Sequence, residues 1–147
     1  MKTGPGSLLA AAAASVALTV NIAKADEVKV KISRSGHSVP AQLDDNPTSR
    51  ALWAKMPLAV SMENLYGREL CHRFKDALPV GETNAEGYVI GEIAYWPPRH
   101  SLVILYAQNG ERLERVTLGR VEGGDGAFAT VSTAEVRFER DDQSVTR

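Results

Sequence analysis

The sequence predicts a mainly β domain of about eight short strands, closed into a barrel or folded as a sandwich, with one clear helix. Three observations predict this. Short runs alternate apolar and polar residues, the signature of half-buried strands. Turn residues punctuate those runs at short intervals. One strong helix start, Asn46-Pro47, stands among them. A chain with this many strands must manage its exposed edges, and closing or doubling the sheet does so.

The chain has 147 residues, which suits one domain. Its opening differs from the rest. Lys2 gives a positive start, Leu8 to Val20 is an alanine-rich apolar run, and Ala23-Lys24-Ala25 is a small-x-small site. That is the layout of a signal peptide at 1–25, cleaved after Ala25. The run is shorter than the roughly 20 apolar residues of a membrane span. A domain at 26–140 and a polar tail at 141–147 follow. The expected location is periplasmic or secreted, with no stable membrane insertion after cleavage.

Glu27 to Ser33 reads EVKVKIS, with Val28, Val30 and Ile32 on one face of a first strand. Ser35-Gly36-His37 is a turn, and Ser38 to Leu43 a second strand. Pro40 lacks an N–H, so it belongs where no ladder bond is needed. Asn46 caps a short helix over Pro47 to Lys55, with Asp44 and Asp45 favoured at its positive end. Pro57 ends it.

Everything later reads as β. Strands are expected at Leu58 to Asn64 and Arg68 to Phe74, joined by Tyr66-Gly67. Asp76 to Gly87 is irregular. Glu92 to Trp96 and Leu102 to Ala107 meet at Pro97-Pro98, where a tight corner forms without ladder N–H groups. Trp96-Pro97 is expected to be cis, because cis bonds gather before proline in tight turns. Asn109-Gly110 signals a hairpin leading into a strand over Arg112 to Val121. EGGDG (Glu122 to Gly126) is a loop, Phe128 to Val131 is ambiguous, and Ala134 to Glu139 is a last strand.

The formal net charge is −1, and loss of Lys2 and Lys24 with the leader makes it more negative. Nucleic acid is therefore not an expected partner, since phosphate binding needs a basic patch. Cys71 is the one cysteine, so no internal disulfide forms, and a lone thiol reads as a small buried residue. His37, His72 and His100 lack the spacing of a ligand pair, so no metal is expected. Asp44 and Asp45 are explained by the helix start, and EGGDG matches neither a phosphate loop nor a calcium loop. No cofactor is implied.

The order and spacing of several segments resemble the cyclophilin-like barrels, in particular a minimal bacterial branch of that fold. The carriers are LDDNPTSRALWAKMPL (Leu43 to Leu58), Tyr66-Gly67 with Glu69 after it, GEIAYWPPRHSLVILY (Gly91 to Tyr106) and LGRVEGG (Leu118 to Gly124). The resemblance runs from Val28 to about Gly123 and implies a small closed eight-stranded barrel with one or two short helices. Cyclophilins catalyse peptidyl-prolyl isomerisation, a rotation with a barrier of about 20 kcal/mol. Their site resembles an open apolar groove beside a key arginine, and His72-Arg73 stands in a similar place here. Arg73 is the catalytic residue that the resemblance implies.

Other positions depart from that pattern. SLVIL (Ser101 to Leu105) replaces a glutamine and a phenylalanine-rich strand, and Gly110 and Arg115 fall where a tryptophan and histidine are expected. The reading therefore favours a non-catalytic module that binds a peptide or small ligand. Peptidyl-prolyl isomerase is the alternative enzyme, and an accessory domain of a larger assembly is a third reading. Tyr66, Tyr95, Trp96 and Arg99 are the candidate ligand-binding residues. Tyr95 and Trp96 alternate, so one faces inward and one outward. Trp53 is expected in the core. Arg73 shares a strand face with Glu69 and Cys71, and a surface pair between Arg73 and Glu69 is its simplest structural role.

Overall fold

A computed structural model describes residues 28–123, 128–129 and 132–141. The expected leader at 1–25, residues 124–127 of the glycine-rich loop and the tail from 142 lie outside the described residues. The strands are β1 (Val28–Arg34), β2 (His37–Leu43), β3 (Leu58–Leu65), β4 (Glu69–Arg73), β5 (Glu92–Trp96), β6 (Ser101–Leu105), β7 (Val116–Val121) and β8 (Ala134–Arg140). One helix, α1 (Pro47–Ala54), separates β2 from β3. The strands close into a barrel in the order β1-β2-β7-β5-β6-β4-β3-β8, and β8 pairs back on β1. Closure removes the free sheet edges that an open sheet would expose.

Turn chemistry sets the first hairpins. Ser35 and Gly36 both take positive φ (51° and 82°), which matches the twist of β1 and β2. Tyr66 and Gly67 do the same between β3 and β4 (60° and 59°). Glycine tolerates that region freely, whereas tyrosine adopts it at a cost. Gly119 has a different reason. A Cβ there would lie 1.9 Å from the Gln42 carbonyl oxygen, so β2 and β7 can pair closely only at a glycine.

The helix forms as its cap predicts. The Asn46 side chain accepts from the Ser49 N–H at 2.8 Å, and Pro47 occupies the first turn. Leu52 is fully buried, and the Ser49 hydroxyl donates to the Leu118 carbonyl at 2.9 Å, which seats the helix against β7. Ile32, Leu43, Leu70, Ile93, Leu102, Ile104, Leu118 and Phe138 fill the core, with Trp53 packed against it half-buried. Tyr95 is fully buried within it, and its hydroxyl accepts from the Leu78 N–H at 2.9 Å.

Two local expectations fail. The cis bond among the described residues is Met56-Pro57, not Trp96-Pro97. Pro97–Arg99 instead forms one 3-10 turn, and His100 at φ 51° ends it. The corner is thus made by a helical turn and a left-handed residue. Asn109-Gly110 does not close a hairpin either. β6 pairs with β4 and β5, and β7 pairs with β2 and β5, so residues 106–115 run as a loop between strands that are not neighbours. The expected strand from Arg112 begins only at Val116. Leu113 and Arg115 explain the difference: Leu113 packs on the outside of the barrel, and Arg115 turns to a buried carboxylate. Among the described residues no helix is long and apolar enough to cross a membrane.

Candidate functional site

The outward faces of β4, β6 and β5 form a sequence of cross-strand rows. Leu70 points into the core, so Glu69, Cys71 and Arg73 point out. Register then assigns their neighbours. Cys71 pairs with Val103, which pairs with Ala94. Arg73 pairs with Ser101, which pairs with Trp96. The first of these rows is dry: Cys71, Val103 and Ala94, joined by Leu105 from the neighbouring row of Glu69, cluster with Tyr88 and Leu113. The Tyr88 hydroxyl donates to the Ala107 carbonyl at 2.7 Å, which ties that side chain down. Burial pushes the Cys71 thiol above its usual range, so it is a poor nucleophile.

The second row opens into a cleft of about 470 Å³. Arg73, Ser101 and Trp96 line one part, and Tyr66, Arg68 and Glu69 another. Residues 111–114 of the loop before β7 form the remaining wall, with half-buried Leu113 as its apolar member. A second cleft of about 390 Å³ shares Arg73 and is lined by Ser61, Glu63, Cys71, His72 and Thr133.

Charges at the main cleft are unequally used. Arg68 is buried and donates to Glu69 Oε1 through Nε at 2.8 Å, with Nη2 at 2.7 Å from the same oxygen. Its Nη1 reaches the exposed Glu111 at 3.3 Å, and its guanidinium lies 5.1 Å over the Tyr66 ring. Glu69 is pushed above the ordinary carboxylate range by burial, against the downward pull of Arg68. Glu114 accepts from the Thr83 hydroxyl at 2.7 Å. Arg73 differs from Arg68. Its Nε is buried with no hydrogen-bond partner among the described residues, and it forms no ion pair there.

The expected site residues are therefore divided. Arg73, Trp96 and Tyr66 come together at one cleft, with Tyr66 67% exposed. Tyr95 is the inward member of the aromatic pair and has no access to it. Arg99 is exposed on the 3-10 turn and does not line the cleft. The simple pairing of Arg73 with Glu69 is replaced by Arg68 with Glu69. Ser101, Leu113 and the acidic positions 111 and 114 were not singled out from sequence. The parity of SLVIL points Ser101 outward with Val103, but its alignment with Arg73 needs the β4–β6 register. Among the described residues no group of three histidine, cysteine or acidic side chains is arranged to hold a metal.

Comparisons with known proteins agree with this architecture. The solution structure of the hypothetical protein AF2241 from Archaeoglobus fulgidus matches with a TM-score of 0.59 at 21% identity, over 79% of this chain and 96% of that one. At that identity the likeness speaks to the fold. No curated protein matches the chain in sequence. The model of the cyclophilin-like family matches residues 32–139, nearly the whole barrel. By that match and by its closed eight-stranded barrel, the chain belongs to the cyclophilin-like family.

Proposed function

We propose that the protein is a non-catalytic binding module that takes a peptide or small ligand in the cleft between Arg73, Trp96 and Tyr66. The observation that carries this reading is the convergence of two aromatic side chains and an arginine that forms no ion pair among the described residues on a cleft of about 470 Å³. That volume falls within the roughly 300–1,000 Å³ of small-molecule sites. Its lining is largely charged, with Tyr66, Trp96 and Leu113 as the apolar surfaces, so it suits a ligand with both polar and apolar parts.

The alternative is peptidyl-prolyl isomerisation, and one feature favours it: Arg73 lines an open cleft beside an aromatic ring. The dry row weighs against it. Val103 and Leu105 lie beneath Tyr88 and Leu113, so the apolar floor along β6 is already covered. A proline-isomerisation assay on the protein and on Arg73→Ala separates the two readings. The binding module gives the uncatalysed rate in both. A rate well above background that falls in Arg73→Ala would make the protein an isomerase.

The leader pattern at 1–25 supports export to the periplasm or beyond. N-terminal sequencing of the protein from the producing cell's periplasm or medium is expected to begin at Asp26. An intact Met1 terminus on cytoplasmic protein would contradict export.

A further inference from the structure

We propose that the cleft selects ligands that carry a carboxylate beside an aromatic or branched apolar group, with Arg73 as the partner of the carboxylate. This rests on the cleft being a binding site and adds the chemistry of what enters it.

Three arginines and three glutamates line the cleft, and the pattern of pairing, not the net charge, leaves an arginine for an anion. Arg68 is held by Glu69 and Glu111, while Glu114 keeps its charge and accepts from the Thr83 hydroxyl. Arg73 and Arg112 are the cleft arginines with no ion pair among the described residues. Arg112 is exposed, so water serves it. Arg73 is half-buried, and its Nε donates to nothing among the described residues. A buried N–H without an acceptor is costly, and a native structure seldom keeps one without reason. A planar guanidinium answers best to a carboxylate, which can take two parallel hydrogen bonds from its fork.

The surroundings select what the carboxylate is attached to. Ser101 stands between Arg73 and Trp96 in the cross-strand row, so anion partner and indole are one strand apart on either side of it. Adjacent strands lie about 4.8 Å apart, which puts the two side chains roughly 10 Å apart at their bases. An acid whose apolar group sits one or two bonds from its carboxylate bridges that gap when both side chains lean inward. Leu113 and Tyr66 supply further apolar wall. Glu69, Glu111 and Glu114 line the same cleft, and the three acids disfavour a second negative charge on the ligand.

A free small acid and the C-terminal carboxylate of a peptide present the same chemistry. The test uses both, in a Trp53→Phe background where Trp96 is the remaining tryptophan. Phenylacetate and phenylacetamide form one probe pair. A tetrapeptide ending in phenylalanine, as free acid and as C-terminal amide, forms the other. Calorimetry and Trp96 fluorescence report binding. The expected result is that the acid of at least one pair binds about tenfold or more tighter than its amide. Arg73→Gln abolishes that preference, and Arg112→Gln keeps most of it. The tighter pair identifies the source. Equal affinity of acid and amide overturns the proposal and leaves the cleft as a binding site. The same holds if the preference survives Arg73→Gln. No response to any of the four probes overturns both. Because acid and amide are compared on the same folded protein, a poorly folding Arg73 variant does not decide the outcome.

Discussion

Two buried arginine–glutamate pairs flank strand β6, and they are built differently. Arg115 and Glu92 form a closed unit. Nε donates to Oε2 and Nη2 to Oε1, each at 2.8 Å, and the Thr117 hydroxyl adds a third bond to Oε2 at 2.8 Å. The remaining Nη1 of Arg115 is used by the Glu86 and Leu113 carbonyls. Asn84 exchanges backbone bonds with Arg115 at 2.8 and 2.9 Å, so the unit fastens the long β4–β5 connection to the start of β7. Arg68 and Glu69 are less complete. Both guanidinium bonds go to one carboxylate oxygen, the third contact is to an exposed glutamate at 3.3 Å, and nearby Arg73 has no ion pair among the described residues. A saturated network builds the fold, whereas an unsaturated one keeps donors for something else. The cleft lies beside the unsaturated network.

The largest effect is expected from breaking the closed unit. Glu92→Gln leaves the Arg115 charge buried without a counter-charge, which costs about 3–5 kcal/mol in urea unfolding. A loss under about 1 kcal/mol would mean that the pair is dispensable and the contrast false.

Glu69→Gln is expected to cost less, under about 2 kcal/mol, since Arg68 keeps Glu111 as a counter-charge. Its pH dependence carries more information. The folded Glu69 carboxyl holds its proton more tightly than the unfolded one, whose value is near 4.5. Its contribution to stability is therefore fully present below 4.5 and is lost as pH rises through the raised folded value. The stability advantage of the native protein over Glu69→Gln should shrink across that window. An advantage that grows with pH would show that attraction to Arg68 outweighs desolvation.

The smallest stability effect belongs to Arg73→Gln, within about 0.5 kcal/mol of the native protein or slightly stabilising, since losing its attraction for Glu69 is offset by removing a buried N–H that has no acceptor among the described residues. If unfolding instead shows a loss above 2 kcal/mol, Arg73 is a structural residue and not one held for a ligand.

Much of this fold was legible in the chain because its signals are local. Asn46-Pro47 specifies its helix from a few residues, and Ser35-Gly36 and Tyr66-Gly67 specify their turns in the same way. Asn109-Gly110 carries an equally local signal, yet β7 finds its partners in β2 and β5. Pairing there is decided by closure of the barrel, which a dipeptide does not encode. Trp96 and Arg73 were visible as candidates, but their joining through Ser101 depends on strands far apart in sequence. The buried ion pairs were illegible for a chemical reason. Arginine and glutamate are ordinarily surface residues, and nothing in the letters distinguishes Arg115 from Arg112. Glu69 also pairs with its sequence neighbour Arg68 and not with Arg73 on its own strand face, which the alternation of a strand does not foretell.

The most direct measurement is a map of backbone amide shifts on titration with phenylacetate. The account predicts shifts confined to residues 66–73, 96–101 and 111–114, with residues 84–92 and 115–117 around the closed pair unmoved. Shifts centred on Glu92 and Arg115, or spread evenly over the barrel, would contradict it.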